Sequence, residues 1–199
     1  SPLGIRLTRV FGEHPEAYDQ ETQETFLARG KNPFLFDQIR FVQTVEESMA
    51  LMQETRPHIV IASSGMCEGG RILHHLRYKI HNPSNTILFV GYMAENTLGR
   101  RILEQGEAYE ASGRAGEPPV VRFLNKEYPL KARVVKLGGF SGHGDRNEML
   151  RFLRESNLEI NRIAVVHGEV EQSQAFADHL AAEGYAVTLP FRGQSIWIR

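Results

Sequence analysis

Hydroxyls, glycines and a guanidinium come together in "SSGMCEGGR", residues 63–71. Ser63, Ser64 and Gly65 offer hydroxyls and a close backbone approach, and Gly69, Gly70 and Arg71 lead into a helical pattern. A helix amino terminus presents unpaired N–H groups with a partial positive charge, so this combination suits a phosphodiester or another anion. Small residues also permit a tight strand-to-helix turn, and the loop read alone leaves both readings open. A second loop, "VGYMAENTLGRRI" at 90–102, places Gly91, Tyr92, Thr97, Gly99, Arg100 and Arg101 after an apolar run. Two such loops at strand ends favour an extended anionic ligand over a single small one, a solvated helix start with surface arginines being the plainer alternative.

Two histidines occupy similar strand exits. In "GGFSGHGD", 138–145, the flanking glycines and Ser141 leave His143 presented rather than packed. "AVVHGE", 164–169, drops His167 beside a glycine at the end of an apolar strand, where an imidazole can reach a ligand or a metal. Each is also the kind of polar residue that simply ends a strand. Of His14, His58, His74, His75, His81 and His179, most read as surface positions in helix or turn contexts, with His75 set apart.

The elements that must position these residues alternate. The pattern predicts a short strand at 4–8, a helix within 14–30 with Pro15 in its first turn and Gly30 at its stop, and a strand at 39–44. A helix at 45–55, a buried strand at 58–63, a helix at 70–82, a strand at 86–91 and a helix from about 97 to 105 follow. Such alternation implies an α/β fold, a mostly parallel sheet with helices on both faces. The glycines and prolines of 104–120 break the pattern, and a domain boundary is expected there. Beyond it, 120–125 and 130–137 read as strands, 145–156 as a helix headed by Asp145, 160–169 as a strand, 170–185 as a helix stopped by Gly184, and 186–190 and 194–199 as closing strands.

A net charge of -1, from 23 Lys plus Arg against 24 Asp plus Glu, excludes an overall basic field, though local patches could still bind nucleic acid. The single Cys67 excludes an intrachain disulfide framework and a cysteine-rich zinc site, which fits a reducing compartment. No stretch approaches the roughly 20 apolar residues that span a bilayer, and the first residues lack a secretory signal pattern. A soluble, cytoplasmic protein with no membrane partner is expected.

Taken together and in this order, "SSGMCEGGRILHHL", "TILFVGYMAENTLGRRI", "GGFSGHGDRNEMLRFL" and "VVHGEVEQSQAFADHL" resemble the β-CASP family of the metallo-β-lactamase superfamily. These are zinc-dependent, RNA-processing ribonucleases related to the endonuclease of the cleavage and polyadenylation machinery. The resemblance covers nearly the whole chain and implies a β-CASP domain at 1–120 followed by the carboxy-terminal part of a metallo-β-lactamase-like αββα domain at 121–199. It gives His143 a place at the scissile phosphate, His167 the role of a zinc ligand, and Ser64, Gly65, Arg71 and Arg100 contacts to RNA phosphates. Two metal ions polarising phosphoryl oxygens and supplying hydroxide, with an imidazole meeting the developing charge, is the chemistry implied.

The sequence also departs from the family. Its principal zinc motif, His-x-His-x-Asp-His, is nowhere in these 199 residues, nor are the further histidine, the bridging aspartate and the acidic motif that accompany it. The expectation is therefore a carboxy-terminal fragment that binds no zinc by itself and is inactive alone, since each ion needs three or more protein ligands. Apolar strand edges left exposed would invite association, a homodimer included. Cys67 stands where relatives commonly carry an apolar residue. Two alternatives remain: a non-catalytic RNA-binding or scaffold paralogue, against which the retention of His143 and His167 argues, and a nucleotide-binding α/β module, from whose glycine-rich patterns "SSGMCEGGR" departs.

Overall fold

The computed structural model describes residues 2–140 and 142–196, in two compact units, Ser1–Ser141 and Gly142–Arg199. In the first unit, helix α1 (Pro2–Glu13) is followed by a fragmented stretch with α2 (Gln20–Thr25), then α3 (Val45–Gln53) and α4 (Arg71–Lys79). Strand β1 (Thr86–Phe89), α5 (Leu98–Ala111), the hairpin β2 (Val120–Phe123) and β3 (Lys126–Pro129), and β4 (Arg133–Lys136) complete it. β1 and β4 pair in parallel, with Thr86 opposite Arg133 and Phe89 opposite Lys136. α5 and the hairpin thus form the crossover between them. The hairpin closes through Leu124 and Asn125, both at positive φ (48° and 57°), as two-residue turns matched to strand twist require.

The core lies where α4, β1, α5 and the hairpin converge: Leu76 and Ile80, Phe89 and Met93, Leu98, Ile102 and Leu103, and Val121, Phe123, Leu130 and Val134. α5 approaches β4 closely enough that a Cβ on Gly106 would lie 2.4 Å from Val134 Cγ2. The fold is mixed α/β with a small parallel sheet, and β4 lies beyond the glycine- and proline-rich stretch yet pairs with β1.

Several expected elements differ. The segment 4–8 belongs to α1: the local alternation of Ile5 and Leu7 suggested a strand, but Leu3, Leu7, Val10 and Phe11 recur at helical spacing. The helix expected within 14–30 is split, because Tyr18 is extended and Asp19 starts α2 anew by accepting a hydrogen bond from the Thr22 N–H at 2.8 Å. No strand forms at 39–44 or at 58–63. Ile59 and Ile61 are each 92% exposed, so the buried strand expected there is corrected: among the described residues it pairs with no strand, and β1 pairs with β4. α5 runs to Ala111, past the predicted end at 105.

The second unit contains α6 (Arg146–Glu155), β5 (Ile163–Ala164), α7 (Val170–Ala182) and β6 (Val187–Thr188). β5 and β6 are parallel and connected through α7, which buries Ala177 and Leu180 and ends at Gly184 with φ 93°. The strands expected at 160–169 and 186–190 shrink to two residues each. Residues 194–196 form no strand, and the rest of that expected strand, 197–199, lies outside the described residues. No described helix is long and apolar enough to cross a membrane.

Candidate functional site

In the first unit the two glycine-containing loops are tied together. The Gly99 N–H donates to the Met66 carbonyl at 2.9 Å, and the Leu98 N–H donates to Glu68 Oε1. A Cβ on Gly99 would lie 2.7 Å from Met93 Sδ and 3.0 Å from Met66 O, so the second loop meets the first at a position only glycine fits. Thr97 caps α5, its hydroxyl accepting from the Arg100 N–H at 3.2 Å. The amino end of α5 is thereby filled by protein groups, a hydroxyl and a carboxylate that suits the positive end of the helix dipole. α4 begins differently, on Gly70 at φ 77° and with no side-chain cap.

Beneath the first loop lies Cys67, 3% exposed, with its thiol directed to the Gly65 carbonyl at 3.7 Å. Burial, and then the charge of Glu68, push that thiol up to about 11. Cys67 thus takes the apolar position its surroundings demand. Ser64 accepts from the Cys67 N–H at 3.1 Å through its carbonyl, and Gly65 is exposed with open space around its α-carbon.

Both arginines named from the sequence already bond to protein. Arg71 donates from Nη1 to the Val42 carbonyl at 3.0 Å and from Nη2 to that of Gln43 at 2.6 Å. Arg100 donates from Nε to Glu104 Oε1 at 2.6 Å and from Nη1 to Met93 O at 3.4 Å, its side chain 34% exposed. Arg71 is the first of three α4 residues at a four-residue spacing that hold α3. The buried His75 pairs Nε2 with the buried Ser48 hydroxyl at 3.2 Å, and Lys79 donates to the Glu54 carbonyl at 2.7 Å. Burial first, then the charge of Lys79, with His58, His74 and Arg71 adding to it, hold His75 below the usual histidine range. Sequence reasoning missed Glu68 and Ser48: each acts through one tertiary partner, and no periodicity marks such a residue.

In the second unit His143 is exposed and lies two residues before Asp145, the cap of α6. That start is fixed by Asp145 Oδ1, which accepts from the Asn147 and Glu148 N–H groups at 2.8 and 2.9 Å, while Glu148 Oε2 accepts from the Asp145 N–H at 3.0 Å. His167 is exposed in the left-handed region at φ 62°, and a Cβ on the following Gly168 would lie 2.2 Å from Ser173 Oγ in the first turn of α7. Each histidine therefore stands on a loop pinned by the helix after it. A zinc ion needs three or more protein ligands, and among the described residues no three His, Cys, Asp or Glu side chains group together. These residues do not by themselves fit a zinc ion.

Residues 1–102 match the Beta-Casp domain, and residues 127–190 match a Zn-dependent metallo-hydrolase RNA specificity domain. The chain is 37% identical over 196 residues to Ribonuclease TTHA0252 of Thermus thermophilus, a match covering 98% of this chain and 42% of that protein. It is 30% identical over 171 residues to the Transcription termination factor FttA of Methanocaldococcus jannaschii, covering 86% of this chain and 26% of that protein. The FttA of Pyrococcus abyssi is 32% identical over 165 residues, covering 83% and 24%. The chain thus spans less than half the length of these curated relatives. Since the first family model alone takes up just over half of the chain and the second follows it in order, the chain belongs to the β-CASP family of the metallo-β-lactamase superfamily.

Proposed function

We propose that this chain works as the carboxy-terminal portion of a zinc-dependent, RNA-processing ribonuclease that hydrolyses RNA phosphodiester bonds in the cytoplasm. In this reading 1–120 is the β-CASP domain and 121–199 completes a metallo-β-lactamase-like domain. The observation that carries it is the match along almost the whole chain to a protein named ribonuclease. Ser64, Gly65, Arg71 and Arg100 hold RNA phosphates. Arg71 does so beside its bonds to the Val42 and Gln43 carbonyls, since a guanidinium carries five N–H groups. His143 stabilises the charge that develops on the reacting phosphate. His167 is one zinc ligand, and polypeptide outside these 199 residues supplies the others. The isolated chain is inactive, and exposed apolar residues such as Ile59 and Ile61 favour a homodimer.

The test uses a polypeptide extended to the length of the ribonuclease relatives. There His143→Ala keeps zinc and binds RNA but turns over slowly, because its interaction is made in the transition state. His167→Ala loses metal affinity together with activity. Zinc lost in His143→Ala and retained, with normal turnover, in His167→Ala would overturn the assignment. The 199-residue chain supplied with zinc should leave a labelled oligoribonucleotide intact, and cleavage abolished by His143→Ala would refute its inactivity.

A further inference from the structure

Glu68 is an acid placed where a protein that holds RNA phosphates has a reason to avoid one. It lies inside the first loop, between Gly65 and Arg71, and its carboxylate accepts from the Leu98 N–H at the amino end of α5. The adjoining bond from the Gly99 N–H to the Met66 carbonyl, 2.9 Å, makes a second tie between the same two segments. Arg100 follows one residue later, its backbone fixed by the Thr97 cap. Apart from Glu68, these ties use a main-chain carbonyl and a hydroxyl, and Cys67 beneath them is buried in the core. Neither Ser64 nor Gly65 bonds to α5 directly among the described contacts.

We propose that Glu68 is a positioning residue, holding the Ser64–Gly65 loop and Arg100 at the separation that an RNA backbone bridges. The inference rests on the RNA reading given above and adds to it a residue that touches no phosphate. Two opposed effects make it decidable. A carboxylate near bound phosphates repels them, so its removal tightens binding if Glu68 is merely a surface charge. If Glu68 holds the loops in register, its removal weakens binding despite the lost repulsion.

The experiment measures binding of a fluorescein-labelled oligouridylate to the 199-residue chain across a salt series. Wild type and the variants Glu68→Ala, Glu68→Gln and Arg100→Ala are compared, with the double variant Glu68→Ala/Arg100→Ala. Glu68→Ala should weaken binding at least about twofold, the small end of the couplings between contacting residues. Glu68→Gln, whose carbonyl can still accept from Leu98, should recover part of that loss. Arg100→Ala should lower the salt slope by about 0.7, one phosphate contact on a single strand, and cost less in the Glu68→Ala background than in the wild type. Tighter or unchanged binding in Glu68→Ala, with Arg100→Ala still weakening it, overturns the role of Glu68 and spares the RNA reading. Failure of the wild type to bind, or an Arg100→Ala that binds as the wild type does, overturns the RNA reading itself.

Discussion

Gly106 lies on the buried face of α5 against β4, and one added methyl there has nowhere to go. Its Cβ would sit 2.4 Å from Val134 Cγ2, 2.5 Å from Val134 Cβ and 3.1 Å from Val134 Cγ1, against the roughly 3.5–4.0 Å of normal carbon contact. Rotating Val134 moves the two Cγ atoms but not its Cβ, so relief requires α5 to withdraw from the sheet. Overpacking of this kind costs about 1–3 kcal/mol, and the helix preference of alanine over glycine returns up to about 1 kcal/mol. Gly106→Ala should therefore lose about 1–2 kcal/mol, seen as a 5- to 30-fold fall in the protection of the slowest-exchanging amides of β1 and β4. Val134→Ala in the same chain should relieve part of the clash, since the Cβ at 2.5 Å remains. Gly4→Ala in α1, with nothing within 4 Å of the new Cβ, is the control and should be neutral or gain about 0.5–1 kcal/mol. If amide exchange shows Gly106→Ala as protected as that control, the close packing of α5 on β4 is wrong.

Three further outcomes follow from the geometry. His75 is held below its ordinary range by burial and neighbouring charge, so the unfolded chain takes up its proton more readily, and stability is fully present above about pH 6.5 and is lost as pH falls through it. Exchange of α3 amides, corrected for intrinsic rates, should accelerate on acidification and do so less in His75→Gln; equal acid sensitivity would refute this. Asp145→Ala removes a reciprocal cap of α6 and should cost about 0.5–2 kcal/mol, measured as faster exchange of the α6 amides, with Asp145→Asn retaining most of it. Cys67, buried and with its thiol pushed up to about 11, should resist a neutral-pH thiol reagent until the chain is unfolded; rapid labelling of the folded protein would contradict its place in the core.

What the sequence disclosed depended on how local the cause was. Helices α3, α4, α6 and α7 were legible because their causes are local, Asp145 at the start of α6 and Gly184 at the stop of α7 acting within a few residues. β1 and β4 were legible as apolar runs, but their pairing joins residues on either side of a glycine- and proline-rich stretch. The segment 58–63 misled because apolar β-branched residues describe what a strand could bury, not whether a partner lies beside it. At the candidate site, Arg71 and Arg100 were singled out by type and position, while the carbonyls and the carboxylate they bond to were not. Glu68 escaped because a carboxylate capping a helix 30 residues away leaves no trace in spacing.

The hold of α4 on α3 has a consequence for how this sequence can drift. Arg71 and Lys79 grip the carbonyls of Val42, Gln43 and Glu54, and every amino acid carries that group. The grip is therefore blind to which side chains stand at 42, 43 and 54. Ser48 is a position addressed through its side chain, by His75. Substitutions should accumulate freely along the outward side of α3, where Val45 and Met49 are each 59% exposed, while changes at Ser48 survive only alongside changes at His75. A helix fastened in this way can acquire new surface chemistry without loosening its attachment to the fold.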